Sequence, residues 1–115
     1  PFEVGIAINY PGSSIENDFR WAPMHPMVEA YKSYQQMPYD RPTWDLTSVL
    51  YSVEGPSYFN VSPAGKINVT DQGATEFTPD AAGNRYYLTV DSIQAENIKQ
   101  HFVQLLTKQP AHFNK

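Results

Sequence analysis

The chain of 115 residues has no cysteine. That excludes disulfides and thiolate metal sites, while leaving the redox compartment open. No apolar run approaches the roughly 20 residues that cross a bilayer as a helix. Positive charge is scarce: eight Lys and Arg stand against twelve Asp and Glu, for a net charge of -4. The eight are scattered, with no basic patch interleaved with aromatics, so nucleic acid is not an expected partner. Charged residues make up 17% and aromatics 14%, which argues against a disordered chain. There is no Gly-x-Ser-x-Gly elbow and no glycine-rich phosphate loop. His25, His101 and His112 match no zinc-ligand spacing. The opening PFEVGIAINYPG has neither an initiator Met nor the basic and apolar regions of a signal peptide. A processed chain or an excised fragment is the expectation.

What is present reads as a mixture of helix and strand. Ten prolines argue against an all-helical bundle. In residues 2–10, Phe2, Val4, Ile6 and Ile8 alternate with small or polar residues, which predicts one strand. Residues 13–23 read as a loop in which Phe19 and Trp21 can pack. Pro26 suits a first helical turn, and Met27, Ala30, Tyr31 and Tyr34 follow at helical spacing. PYDRP at 38–42 predicts a tight connector. A second helix is expected over 43–53, with Thr43 as N-cap and a stripe of Leu46, Val49, Leu50 and Val53. From Tyr58 the period becomes two, which predicts a small antiparallel meander of three or four strands. Asp91 and Gln94 resemble a capping box for a last helix, with Ala95, Ile98, Phe102, Leu105 and Leu106 on one face. The lone first strand then either joins the meander or belongs to a larger parallel sheet outside this chain. No internal repeat or long linker divides residues 1–115, so they form one domain or part of one.

Several residues invite a chemical reading beside a structural one. Asp45 falls in the first turn of its helix, where the backbone N–H groups and the dipole favour an acid. It is also placed to give a hard cation such as calcium one or two oxygens. Glu3, on the face of the first strand that carries Gly5, Ala7 and Asn9, either meets solvent or lines a cleft with Asn9. Tyr31, Tyr34, Trp44, Tyr51, Tyr58, Phe59, Tyr86 and Tyr87 form either packing or a stacking surface. His25 is a cap or a supporting partner. NVS at 60–62 and NVT at 68–70 match glycosylation acceptors.

FEVG at 2–5, HPMVEAY at 25–31, RPTWDLTSVLY at 41–51 and the GKINVT, GATEF and RYYL segments carry a resemblance. Together they resemble the C-terminal part of bacterial proteins of the inosine-uridine preferring nucleoside hydrolase superfamily, across nearly the whole chain. The resemblance implies an α/β fold class. The chain would be a C-terminal fragment of an open nucleoside-hydrolase-like fold, with one strand, two helices, a small antiparallel meander and a terminal helix. It implies cleavage of the bond between base and ribose, with Ca2+ as cofactor in the intact protein. Asp45 falls on the late metal-binding aspartate of the family. Trp44, Glu3 and Asn9 are the substrate-side candidates, and no residue of this chain is assigned a catalytic role. The implied partners are a nucleoside or related small molecule, the remainder of an N-terminal α/β domain, and further copies in a homo-oligomer. The implied location is the bacterial cytoplasm, or the periplasm or exterior if an upstream signal was removed. Two departures stand out. Trp44 occupies the place of a family histidine and cannot protonate a leaving base. The Asp-rich motif that supplies most of the metal shell is not in this chain, so the isolated chain is expected to be inactive.

Overall fold

The structure is a computed structural model and describes residues 3–111. Among these, five α-helices alternate with three separate two-stranded antiparallel sheets. The expected single strand, two helices, meander and terminal helix are therefore corrected. The fold is a small α/β domain with more helices and more, shorter strands.

The first correction lies in the opening segment. Val4–Ala7 is a short helix, α1, closed by a bond from the Ile6 N–H to the Glu3 carbonyl. Only Asn9–Tyr10 is strand, β1. The alternation of apolar residues misleads because Gly5 and Ile8, three apart, are the buried positions, while Ile6 faces out. That is a helical spacing. Phe2 lies outside the described residues. Gly12–Asn17, expected as loop, is α2, and it buries Ser14 and Ile15. The Ser14 hydroxyl meets the Tyr10 hydroxyl at 2.9 Å, so both buried polar groups are satisfied.

Pro26–Tyr34 forms α3, with Pro26 in its first turn and His25 as N-cap. The His25 Nδ1 accepts from the Met27 N–H, and its ring packs on Phe19 and Trp21. His25 is thus a capping residue. The connector after α3 contains β2, Arg41–Pro42, which pairs antiparallel with β1.

Trp44–Glu54 is α4 and Ser92–Leu106 is α5. The capping box of α5 is formed: the Gln94 N–H donates to Asp91 at 2.7 Å and the Asp91 N–H donates to the Gln94 side chain at 2.9 Å. Ile98 and Phe102 of α5 are buried with Ile8, Tyr10, Ile15, Phe19, Leu50 and Phe59 in one core. The α4 stripe needs a correction. Thr47 and Leu50 are its buried residues, whereas Val49 is 56% exposed and Val53 76% exposed. The helix is turned so that Leu46, Thr47, Leu50 and Tyr51 face the core, which keeps half of the expected stripe and leaves Val49 and Val53 outside. Leu105, expected on the buried face of α5, is also exposed.

The meander separates into two pieces. Asn60–Val61, β3, pairs with Leu88–Thr89, β6. Between them Gly65–Val69, β4, and Thr75–Pro79, β5, form a hairpin. The Asn60 and Gln94 amides bond each other, which ties β3 to the start of α5. This cross-link is invisible to local patterning, which is why a continuous meander was expected. Among the described residues, no helix is long and apolar enough to cross a membrane.

The end of α4 is joined to α5 by Glu54, whose carboxylate lies 2.9 Å from the His101 Nε2. The Tyr58 ring stacks on His101 at 5.1 Å. The bond to His101 holds the Glu54 carboxyl below its usual value, with a further contribution from the Tyr58 hydroxyl. A depressed carboxyl pKa stabilises the fold above the unfolded value of 4.5 and loses that contribution as pH falls through the folded value. Denaturant unfolding followed from neutral pH to below pH 4.5 should therefore show a steeper loss for the native chain than for Glu54→Gln.

The core assignment makes a second prediction. Ile98→Ala should cost about 2–5 kcal/mol of unfolding free energy in urea titrations. Val53→Ala, in the stripe expected to be buried, should change it by less than about 0.5 kcal/mol.

Candidate functional site

The candidate residues gather where the chain enters α4. Thr43 occupies the N-cap position, yet its side chain does not cap the helix. Its hydroxyl donates to the Ile8 carbonyl at 2.8 Å, inside the core. Its N–H is shared between the Gly5 carbonyl at 3.0 Å and the Ile8 carbonyl at 3.1 Å. These bonds draw α1 against the first turn of α4. Gly5 permits the approach, because a Cβ there would lie 2.5 Å from the Trp44 Cα. With Thr43 engaged elsewhere, Asp45 in the first turn supplies the negative charge that a helix start favours.

Trp44 and Asp45 are consequently set on a ridge between two clefts. One cleft is lined by Glu3, Val4, Gly5, Trp44, Asp45, Thr47 and Ser48. It places the Glu3 and Asp45 side chains in the same depression. The other, of about 400 Å³, shares Trp44 and Asp45 and adds Tyr31, Tyr34, Tyr39, Arg41 and Leu46. Here the Tyr39 ring stacks on Tyr31 at 5.1 Å, and its hydroxyl donates to the Tyr31 carbonyl at 2.7 Å. The Arg41 guanidinium lies 4.4 Å from the Tyr34 ring centre, a cation–π contact. Among the described residues Arg41 forms no ion pair. Burial pushes the Tyr31 hydroxyl pKa up, and nearby Arg41 opposes the change.

Three of the four expected site residues, Glu3, Trp44 and Asp45, are thus brought together. Asn9 is not. Its amide donates to the Ile6 carbonyl, and it borders a different depression with Asp40, Ser92, Glu96 and Lys99. Asp40 itself accepts from the Gly12 N–H and so anchors the start of α2. Tyr39 was not singled out in the sequence; its position between Pro38 and Asp40 in a short connector is a weak signal for a site residue.

Calcium takes about six to eight oxygen ligands. Among the described residues no group of three or more His, Asp or Glu side chains is arranged to hold a metal ion. Glu3 and Asp45 alone do not fit that requirement. No family model matches the chain, and no match is found among curated proteins or solved structures.

What the arrangement offers chemically is an exposed indole beside a carboxylate, at a helix start whose cap has been diverted. Trp44 is 45% exposed, so part of the residue is open to solvent. The joint beneath it should be sensitive to small changes. Gly5→Ala should lower stability by about 1–3 kcal/mol, because the added methyl meets backbone rather than a mobile side chain. Thr43→Val should cost about 1 kcal/mol by removing the hydroxyl bond to the Ile8 carbonyl, which keeps the backbone N–H of residue 43 as a donor. Thr43→Ser should retain most of the native value in the same denaturant titration.

Proposed function

We propose that this chain is the C-terminal part of a calcium-dependent nucleoside hydrolase, and that it supplies one wall of the nucleoside site. The observation that carries the reading is the Trp44–Asp45 pair, an indole and a carboxylate on consecutive residues that both line two clefts, one of which Glu3 also lines. A nucleoside has the matching parts, a planar base and a set of ribose hydroxyls. The resemblance of RPTWDLTSVLY to the family motif supports the same assignment.

Cleavage breaks the bond between the anomeric carbon and the base nitrogen, and water adds to the sugar. The reaction passes through an oxocarbenium-like state and needs an oriented water, contacts to the ribose hydroxyls and help for the departing base. Residues of this chain suit the second requirement: the Asp45 and Glu3 carboxylates accept hydrogen bonds from hydroxyl groups. Trp44 stacks on the base without donating a proton to it. In this reading Asp45 is one oxygen ligand of calcium, and the other ligands and the water-activating carboxylate come from outside residues 1–115. The isolated chain is therefore inactive.

A second reading is a non-catalytic module that binds a planar or aromatic ligand. It is favoured by the cleft of Tyr31, Tyr34, Tyr39, Arg41 and Trp44, which is assembled within this chain alone. Release of ribose from nucleosides by the protein encoded in the complete reading frame separates the two. Hydrolysis should be abolished by a calcium chelator and reduced by a factor of about 100 or more in Asp45→Ala. Trp44→Ala should act mainly on KM. Absence of ribose release with calcium present, together with nucleoside binding to the 115-residue chain that quenches Trp44 fluorescence, would establish the second reading instead.

A further inference from the structure

The β4–β5 hairpin carries an unused edge, and this inference is independent of the nucleoside site. Its substantial contacts are between its own two strands. One face carries Ile67, Val69, Thr75 and Phe77, set by the pairings Ile67 with Phe77 and Val69 with Thr75. Phe77 packs edge-on against Tyr87 at 4.9 Å, and its ring tip covers Gly65. Ile67 is 46% exposed and Val69 69% exposed. A solitary two-stranded hairpin is marginal in water, so an apolar face on one calls for additional strands or a cover.

The backbone bonds show which groups face outward. The Asp80 N–H donates to Ala64 and the Thr70 N–H donates to Ala74, so the even-numbered residues of β4 bond toward β5. Gly65 exchanges both bonds with Arg85 on the opposite side. Ile67 and Val69 therefore turn their N–H and C=O groups to the outer edge, where no described residue pairs with them. The outer edge of β5 ends in Pro79, which has no N–H, a feature that blunts strand addition.

The β4 edge is self-complementary. If a second β4 runs antiparallel about a two-fold axis at Asn68, Ile67 exchanges both bonds with Val69 of the other copy, and Val69 does so with Ile67. The apolar faces become continuous, with β-branched side chains directly opposite one another. Asn68 faces its own counterpart, and Lys66 faces Thr70, so no like charges meet.

We propose that β4 pairs with β4 of a second copy of this chain, forming a two-fold dimer through a four-stranded sheet. Because the chain has no cysteine, a single introduced thiol reports the register. Asn68 would form a non-hydrogen-bonded pair, with Cα atoms about 4.5 Å apart, within the span of a disulfide. In Glu76→Cys the two thiols sit three strand spacings apart, roughly 14 Å.

Sedimentation of the 115-residue chain should show a dimer at micromolar concentration. Asn68→Cys should oxidise to a covalent dimer, while Glu76→Cys remains largely monomeric under denaturing electrophoresis. Val69→Pro removes an outward N–H without touching the β4–β5 bonds and should weaken dimerisation by about tenfold or more. A native chain that remains monomeric at high micromolar concentration overturns the proposal, and assigns the edge to a different polypeptide. So does equal cross-linking at positions 68 and 76. If Val69→Pro fails to fold, the cross-linking comparison decides alone.

Discussion

The joint at Thr43 carries the arrangement of the whole front of the molecule. Its N–H and hydroxyl both turn inward to the carbonyls of Gly5 and Ile8. Buried backbone groups have to find partners within the protein, and these carbonyls lie where water does not replace the bonds. The adjacent residues Arg41 and Pro42 pair with Tyr10 and Asn9. A short ladder and a side-chain hydroxyl thus fasten the first ten residues to the entrance of α4. The direction of α4, the ridge bearing Trp44 and Asp45, and the cleft shared with Glu3 all follow from that fastening. There is a local consequence as well. A threonine at this position ordinarily caps its helix, and here it serves the tertiary contact instead. The first turn then has Asp45 as its only acidic residue, so the carboxylate that invites a chemical reading also has a structural task.

The parts legible in the sequence are those whose stabilising groups are close in sequence. The capping box of Asp91 and Gln94 lies within one helical turn, and α5 begins where those residues indicate. Pro26 and the spacing of Met27 and Tyr31 similarly announce α3. Trp44 and Asp45 could be placed at a helix start because an apolar period follows them. The opening segment resisted because its decisive contact spans nearly forty residues: Gly5 is buried against Trp44, and only that approach selects a helical turn over a strand. For the same reason Glu3 could be suspected of lining a cleft but not matched with Asp45. Asn9, assigned by alternation to the face of Glu3, separates from it once α1 is a helix.

The later strands illustrate a different limit. A period of two correctly marks extended backbone in β4 and β5, but it says nothing about which edge is occupied. β3 is paired with β6 across the hairpin, and the Asn60–Gln94 amide pair holds that arrangement in place. Likewise, the period of α4 identifies its apolar positions and not the direction they face. Thr47 is buried because its hydroxyl donates to the Trp44 carbonyl within the helix and so brings no unsatisfied group to the core. Val49 and Val53 are left outside.

These outward residues bear on the proposed site. The radius of gyration is 17.3 Å, against about 13 Å for a chain of this length folded around one core. Apolar side chains face solvent on α4 and on the hairpin, among other places. A ridge presenting an indole and a carboxylate to solvent contacts a ligand from one side. Binding from one side orients a ring, but catalysis gains most when water is excluded and charged groups act in a closed, low-dielectric site. The exposed flank of α4 begins within one turn of Asp45. Thr47 and Ser48, which line the cleft of Glu3 and Asp45, directly precede Val49, so a polypeptide packed on this flank of α4 would sit beside the cleft.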